Sequence, residues 1–415
     1  MRPEAIALET PRARLTYTAL EAQARRAAGG LAAMGVGAGD RVALALAPGV
    51  PFCVALHGCL LLGAVAVPVD LRLAEPERRA RLVGVKAVIE ESVEGAPLEQ
   101  VADLELGRTA ALMYTSGTTS APKPVPLSYG NWLANALGSA AALGLDPAER
   151  WLCPMPLAHV GGLSILLRST IYATTAVLHE RFEAAAVAAA LSDPAQRITL
   201  VSLVPTMLER VLDAGLADPP SLRWALLGGG PIPAPLLERA ARASVPVAPT
   251  YGMTEACSQI VTFGWPLPGT DLRISVRGEI LVRGPTVSAA SLATDGWLHT
   301  GDAGALDASD RLTVSGRLSE VIVSGGENIA PVEVEEVLRS HPAVADAAVH
   351  GRSDPEWGEA VVATVVTRDG VRVEAAELRA HCRARLAPFK VPKAIAFTSE
   401  LPRNAAGKLL RGQLR

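Results

Sequence analysis

The stretch Val42–Val69, which contains no Lys, Arg, Asp or Glu, constrains the fold more than any other part of this chain. Its length would let it span a bilayer as one helix. Pro48, Gly49 and Pro51 interrupt it early, however, and Gly63 and Pro68 interrupt it late. Proline removes a backbone donor and blocks the preceding turn, so the stretch breaks into pieces. These read as a strand over Arg41–Leu46, an apolar helix over Pro51–Leu62 and a second strand over Ala64–Val69. A helix apolar on every side and strands apolar at every position need cover on both faces. That is the condition of parallel sheet between helical layers, not of a membrane span.

The alternation continues. Helical periodicity covers Tyr17–Ala33, opened by Thr16, and then Asn131–Leu143, Leu163–Ala173, Phe182–Leu191, Pro205–Ala214 and Pro233–Ala243. Short apolar runs over Ala111–Tyr114, Ala176–Leu178, Thr199–Leu203 and Trp224–Leu227 read as strands. From residue 272 the pattern changes to alternating strands at Leu272–Val276, Glu279–Arg283 and Arg311–Val314. A small α+β unit follows, with strands Val321–Val323, Ala345–His350 and Ala360–Thr367 and helices Val332–Arg339 and Glu374–Ala384. The expected fold class is α/β. A large N-terminal domain, residues 1–317, holds mainly parallel sheets layered with helices plus a small β-barrel-like part. A small mobile α+β C-terminal domain spans 318–415.

The 415 residues are too many for one core. With 49% hydrophobic and 20% charged residues the chain is globular. A net charge of −3 gives no electrostatic case for nucleic acid or an acidic membrane. Five scattered cysteines without CxxC spacing point to a reducing, cytoplasmic setting without structural zinc or disulfides. The N-terminal residues lack the apolar core of a signal peptide.

Chemistry concentrates in a few loops. Thr115-Ser-Gly-Thr-Thr-Ser-Ala-Pro-Lys123 packs hydroxyls, a glycine and a lysine after a strand, an arrangement suited to polyphosphate. It is not a Walker A loop, because Pro122 stands where the second glycine belongs. Taken alone, a polar surface turn is an equal reading. Only five of the 39 basic residues are lysine, and Lys123 and Lys408 lie between turn signals. Lysine supplies a mobile point charge that arginine does not replace, so these two positions stand out. Gly228-Gly229-Gly230-Pro231 permits close backbone approach to a flat ligand, or serves as an ordinary strand-to-helix turn. Thr250-Tyr251-Gly252-Met253-Thr254-Glu255 offers an aromatic face, hydroxyls and a carboxylate suited to Mg²⁺. His159 lies in Pro156–Gly162, and His299–Asp302 places a carboxylate after a turn; a structural histidine and an Asx-turn are the plain alternatives.

In order and spacing these segments resemble the adenylate-forming superfamily of acyl-CoA synthetases, adenylation domains and luciferases. Tyr114–Lys123, Tyr251–Glu255, Gly296–Asp302, Gly316-Arg317 with Ser324–Ile329, and Pro402–Lys408 match its five motifs across nearly the whole chain. Finer likeness is to the o-succinylbenzoate–CoA ligases of menaquinone biosynthesis. It rests on Tyr129–Asn131, Gly138–Ala140, His159–Ile165 with Arg168-Ser169, Val201–Thr206 and Thr254–Val261.

The resemblance implies a two-step ligase that uses ATP, Mg²⁺ and coenzyme A, passing through an acyl-adenylate to a thioester. Lys408 is implied to bridge the attacking carboxylate and the α-phosphate, Glu255 to hold Mg²⁺, and Thr254 to donate to the α-phosphate. Thr115, Ser116, Gly117, Thr118, Thr119 and Lys123 would grip the β- and γ-phosphates. Tyr251 would stack on adenine beside Gly228, Gly229, Gly230 and Pro231, within the segment Thr250–Met253. Asp302 and Arg317 would take the ribose hydroxyls. Gly325 and Gly326 belong to the C-terminal face that serves thioester formation, reached by rotation about Arg317–Ser319. His159 would gate the acyl pocket or sit beside the CoA thiol path. Gly161, Ser202, Ser258 and Gln259 would contact the substrate, and Arg168 with Ser258 is assigned to the succinyl carboxylate, against a surface ion pair for Arg168. The resemblance leaves a homodimer open. Ser120 and Pro124 depart from the family's glycines, so a stiffer loop with weak ATP affinity or slow pyrophosphate release is expected. Three other readings stand beside this one: a CoA ligase for another acid, an enzyme loading a carrier protein, and a non-catalytic nucleotide-binding relative.

Overall fold

The computed structural model describes residues 2–115, 122–324, 326–355, 357–403 and 409–414. The chain divides into two compact units. The first takes in Met1–Gly229, Ala240–Leu272 and Val282–Leu298. The second takes in Gly230–Arg239, Arg273–Leu281 and His299–Arg415.

The first unit is built on two sheets. One has nine strands, ordered Trp265–Pro266, Ser258–Thr262, Val247–Met253, Trp224–Leu227, Leu200–Leu203, Arg150–Cys153, Thr175–Leu178, Ile6–Thr10 and Ala13–Thr16. Its centre is parallel, and antiparallel strands close both edges. The other has five strands, ordered Ala87–Ile89, Arg41–Leu44, Val65–Pro68, Thr109–Thr115 and Lys123–Ser128, and only the last is antiparallel. The uncharged stretch folds as its composition requires: strand Arg41–Leu44, helix Val50–Leu62 and strand Val65–Pro68. Phe52, Cys53, Leu56 and Cys59 of that helix are all buried. Among the described residues no helix is long and apolar enough to cross a membrane, and all five cysteines are free and buried.

Helix Tyr17–Ala33 opens at Thr16, whose hydroxyl accepts from the Ala19 N–H at 3.1 Å. It packs on Val50–Leu62 at close range. A Cβ placed on Gly58 would lie 3.0 Å from the Ala27 Cβ and 3.1 Å from the Ala28 nitrogen. Glycine is required there by the neighbouring helix, against its own low helix propensity.

The second unit has a five-stranded sheet. Four strands run in the order Glu327–Ile329, Ile322–Ser324, Gly358–Thr367 and Val344–Asp354, and Ala394–Phe397 pairs with Gly358–Thr367. Helices Pro331–Arg339 and Ala375–Arg383 cover it, with Ile322, Val334, Leu338, Val349, Val361 and Leu378 in the core. The barrel-like part expected from the sequence is a four-stranded sheet over Asp271–Ile274, Glu279–Arg283, Leu298–Leu306 and Leu312–Arg317.

Three sequence readings need correction. His299–Asp302 is not a turn but part of the strand Leu298–Leu306, where Leu298, Thr300 and Asp302 alternate inward. Glycines at 301 and 304 and the polar inward positions hide a strand that pairs with Leu312–Arg317. Thr250–Met253 belongs to the strand Val247–Met253 instead of a loop. Lys123 likewise begins a strand, in register with Thr115.

Gly58→Leu should lower stability by about 1–3 kcal/mol, as overpacking of a filled interface does. Thermal unfolding of the two proteins checks this, and an unchanged midpoint would show the helix contact to be slack.

Candidate active site

Several candidate side chains lie at or beyond the ends of the parallel strands of the nine-stranded sheet, where α/β folds place ligands. After Trp224–Leu227 comes Gly228, where a Cβ would lie 2.7 Å from both the carbonyl oxygen and the Cγ2 of Thr250. Any side chain would push these neighbouring strands apart. Gly229 follows at φ +80°, a left-handed conformation open to glycine at little cost. Gly230 and Pro231 are exposed and belong to the second unit.

The next strand carries Thr250, whose hydroxyl donates to the Val261 carbonyl at 2.7 Å, and Tyr251, in register with Val261. Gly252 is pinned by the backbone opposite: its Cβ would fall 1.7 Å from the Ser258 carbonyl oxygen. The chain then turns through the short helical segment Thr254–Ala256 and passes two non-glycine residues at positive φ, Cys257 at 54° and Ser258 at 92°. Such strain persists only where surrounding structure enforces it, and it concentrates at functional sites. The Glu255 carbonyl accepts from the Ser288 N–H at 2.8 Å. Its carboxylate makes no hydrogen bond or ion pair among the described residues.

A buried polar group of side chains joins the strand Ser258–Thr262 at the Gln259 carbonyl. Arg168, on helix Val160–Tyr172, is 1% exposed. Its Nε donates to the Asn135 Oδ1 at 3.1 Å, Nη2 donates to the same oxygen, and the guanidinium lies 5.4 Å from the Trp151 ring centre. Asn135 donates in turn to the Gln259 carbonyl at 3.2 Å, and the Trp151 indole donates to the Ser202 hydroxyl at 3.0 Å. The Nη1 of Arg168 has no partner among the described residues. Burial pulls the Arg168 pKa down from the ordinary arginine value. The alternative of a surface ion pair for Arg168 is therefore overturned: the side chain is interior, and no carboxylate pairs with it among the described residues. Gln259 is buried too, its amide nitrogen donating to the Thr262 hydroxyl at 2.9 Å.

His159 precedes the same helix as its N-cap and is partly exposed. Its Nε2 lies 3.2 Å from the Arg72 Nη2 and 3.7 Å from the Asp70 Oδ2. Gly161 sits in the first turn, where a Cβ would come 3.0 Å from the Met155 Cε. Thr115 ends one strand and Lys123, exposed, begins its partner; Ser116, Gly117, Thr118, Thr119 and Ser120 lie outside the described residues.

In the second unit Asp302 is nearly buried, and Arg317 Nε meets its Oδ1 at 3.0 Å. Arg317 also donates to the Thr300 carbonyl at 2.9 Å, and the Thr300 hydroxyl accepts from the Asp302 N–H at 3.1 Å. Gly326 takes φ +85°, while Gly325 and Lys408 lie outside the described residues. The segment next to Lys408 is anchored. Leu409 bridges Arg403, the Leu410 N–H donates to the Pro402 carbonyl at 2.9 Å, and Arg411 holds the buried Glu335 through bonds of 2.9 Å to each carboxylate oxygen.

Sequence reading missed Asp70, Arg72, Asn135 and Trp151. For the first two a signal existed: an Asp-x-Arg pair straight after a wholly apolar strand. For Asn135 it was the spacing from Asn131 on the apolar face of a helix.

Two family models match: AMP-binding enzyme over residues 1–109 and 89–290, and AMP-binding enzyme C-terminal domain over 333–408. The chain is 39% identical to the 2-succinylbenzoate–CoA ligase of Bacillus licheniformis, covering 100% of this chain and 97% of that one. It is also 39% identical to the enzyme of the same name from Bacillus subtilis, covering 96% of that chain. The first alignment runs over 468 positions for the 415 residues here, so this chain is shortened internally. Among solved structures, the Bacillus subtilis o-succinylbenzoate CoA synthetase in complex with the acyl-adenylate intermediate OSB-AMP superposes with a TM-score of 0.91, covering 100% of this chain and 96% of that one. The same synthetase in complex with ATP and magnesium ion gives 0.90, covering 100% and 97%. Full-length likeness at this identity, with both domain models matched in order, places the chain in the AMP-binding enzyme family.

Proposed function

We propose that this protein is an AMP-forming acid–CoA ligase that converts o-succinylbenzoate into o-succinylbenzoyl-CoA. The observation that carries the substrate reading is Arg168, a buried guanidinium with a free Nη1 and no carboxylate partner among the described residues. Placing a charge there costs several kcal/mol unless something answers it. An acid with a second carboxylate supplies that answer, and the full-length relatives named for 2-succinylbenzoate support the same reading.

The first half-reaction joins a carboxylate oxygen to the α-phosphorus of ATP and expels pyrophosphate. The obstacle is the approach of an anion to a polyanion. Lys408 lowers it by bridging the incoming carboxylate and the α-phosphate, and Thr254 donates to the same phosphate. Ser116, Thr118, Thr119 and Lys123 hold the β- and γ-phosphates, and Thr115 and Gly117 belong to the same nucleotide-binding segment. Tyr251 stacks on adenine along the backbone of Gly228–Pro231, and the paired Asp302 and Arg317 meet the ribose hydroxyls. Mg²⁺, when bound, would offset charge on the phosphate oxygens; Glu255, whose carboxylate has no partner among the described residues, would hold it, which suits a cation that takes few protein oxygens. In the second half the CoA thiol gives up its proton to solvent, its sulfur bonds to the acyl carbon and the acyl–phosphate bond breaks to release AMP. Gly325 and Gly326 belong to the C-terminal face that serves this step, and His159 and Gly161 to the acyl pocket. Ser202, Ser258 and Gln259 complete the pocket around the carboxylate that is not activated. A cytoplasmic location and a homodimer belong to the same reading. Free buried cysteines support the first.

With ATP, Mg²⁺ and o-succinylbenzoate but no CoA, mass spectrometry should find o-succinylbenzoyl-AMP and pyrophosphate; adding CoA should convert the adenylate to thioester and AMP. Turnover of another acid with none of this one would overturn the substrate. An adenylate that CoA fails to discharge would point to a carrier-protein acceptor instead.

Lys408→Ala should cut adenylate formation by about 10²–10³-fold, the usual loss for a removed transition-state contact. ATP binding by calorimetry should stay within a few-fold of the parent. Unchanged turnover refutes the role given to Lys408.

A further inference from the structure

His159 does not stand alone. Asp70 and Arg72 leave the end of strand Val65–Pro68 as a tight unit. Arg72 Nε donates to the Asp70 Oδ1 at 2.9 Å and Nη2 to Oδ2 at 2.7 Å, and the Arg72 backbone N–H donates to Oδ1 at 3.0 Å. The fork is thus fixed by two bonds to one carboxylate, and the Arg72 backbone by a third. The same Nη2 lies 3.2 Å from the His159 Nε2. A guanidinium only donates, so that ring nitrogen has to accept. An accepting Nε2 means a neutral imidazole with its proton on Nδ1, and Nδ1 has no partner among the described residues. His159 is also the N-cap of a thirteen-residue helix, whose positive end disfavours an imidazolium.

We propose that Arg72, fixed in place by Asp70, is a positioning residue that keeps His159 Nε2 an acceptor, with its Nδ1–H directed to an acyl oxygen during thioester formation. This rests on the reading that His159 faces the acyl pocket. The charges bearing on the ring are Asp70, Arg72 and Arg81, the last on helix Glu75–Arg81. Burial, opposed by Asp70 and aided by Arg72 and Arg81, brings the His159 pKa below the ordinary histidine value. Burial would raise Asp70, but its bonds from Arg72 outweigh that and keep it below the usual carboxylate range. Asp70 is therefore ionised throughout the range in which His159 titrates. The two neighbours pull the ring in opposite directions, and Arg72 occupies the position from which Asp70 would otherwise pair with Nε2.

The test is a pair of substitutions with opposite expected signs. The pKa of His159 is read by NMR of histidine-labelled protein, its signal assigned with His159→Gln. In Arg72→Met the Asp70 carboxylate is left facing the ring, and the pKa should rise by about one unit, a tenfold change in the neutral-to-charged ratio. In Asp70→Asn the arginine charge is unopposed, and the pKa should fall. Misfolding would not produce shifts of opposite sign. Because the reaction needs neutral His159, the acid limb of the pH profile for thioester formation from preformed adenylate should move up in Arg72→Met and down in Asp70→Asn. Titrations that do not move, or that move the same way, overturn the proposal. Titrations that move while the acid limb stays in place overturn the link to the reaction. The titrations need no turnover, so they stand or fall apart from the substrate assignment.

Discussion

The guanidinium of Arg168 lies in the interior of the larger unit, and the elements around it are arranged by how its charge is met. Asn135 offers one oxygen to two of its nitrogens and passes a hydrogen bond on to the Gln259 backbone. That chain ties helix Tyr129–Leu143 to the antiparallel strand Ser258–Thr262. Trp151 presents its ring to the same cation while its indole N–H reaches Ser202 two strands away in sequence, on a directly paired neighbour. The Tyr172 hydroxyl donates to the Ala136 carbonyl and closes the far side. Removing the charge from water is expensive, and the neutral groups leave the buried Nη1 without a partner among the described residues. Under the proposed function, the second carboxylate of the acid answers the unmatched Nη1.

The strand ends translate this interior into a reactive surface. The positive φ angles at Cys257 and Ser258 turn the chain directly after Glu255 and press the Ser258 carbonyl against Gly252. The Glu255 backbone is tied down by Ser288, and its carboxylate makes no hydrogen bond or ion pair among the described residues. Two features that look unrelated in sequence, a glycine in one strand and a strained serine in the next, are one packing contact. The second unit repeats the logic in Asp302 and Arg317, each fixed by the other and by Thr300 before any ligand arrives.

Most of the layered first unit was legible in the sequence because its elements announce themselves. The strand Trp224–Leu227 and the helix Tyr17–Ala33 come out residue for residue, since Gly228 and Thr16 mark their ends. The strand Leu298–Leu306 was not legible, because glycine and inward polar residues replace the usual apolar alternation. The family could be recognised through the order and spacing of its motifs, but the surroundings of the motif residues could not be read. Nothing in a one-dimensional reading brings Asp70 to His159, or shows that Arg168 points inward on a helix whose buried face includes seven other residues. Those facts are set by packing between segments distant in sequence.

The proposed function has the site select an acid with two carboxylates, one activated and one received by Arg168. The most direct measurement is kcat/KM of the unaltered protein for o-succinylbenzoate beside its two monoacid analogues, each lacking one carboxylate. The analogue that keeps only the aromatic carboxylate and the one that keeps only the aliphatic carboxylate should both fall. The one that retains the activated group should fall by about 10–10²-fold, the range expected when a charged hydrogen-bonding partner is left unmet in a buried site. Equal kcat/KM for the diacid and that monoacid would contradict the account, because Arg168 would then be a structural charge with no part in choosing the substrate.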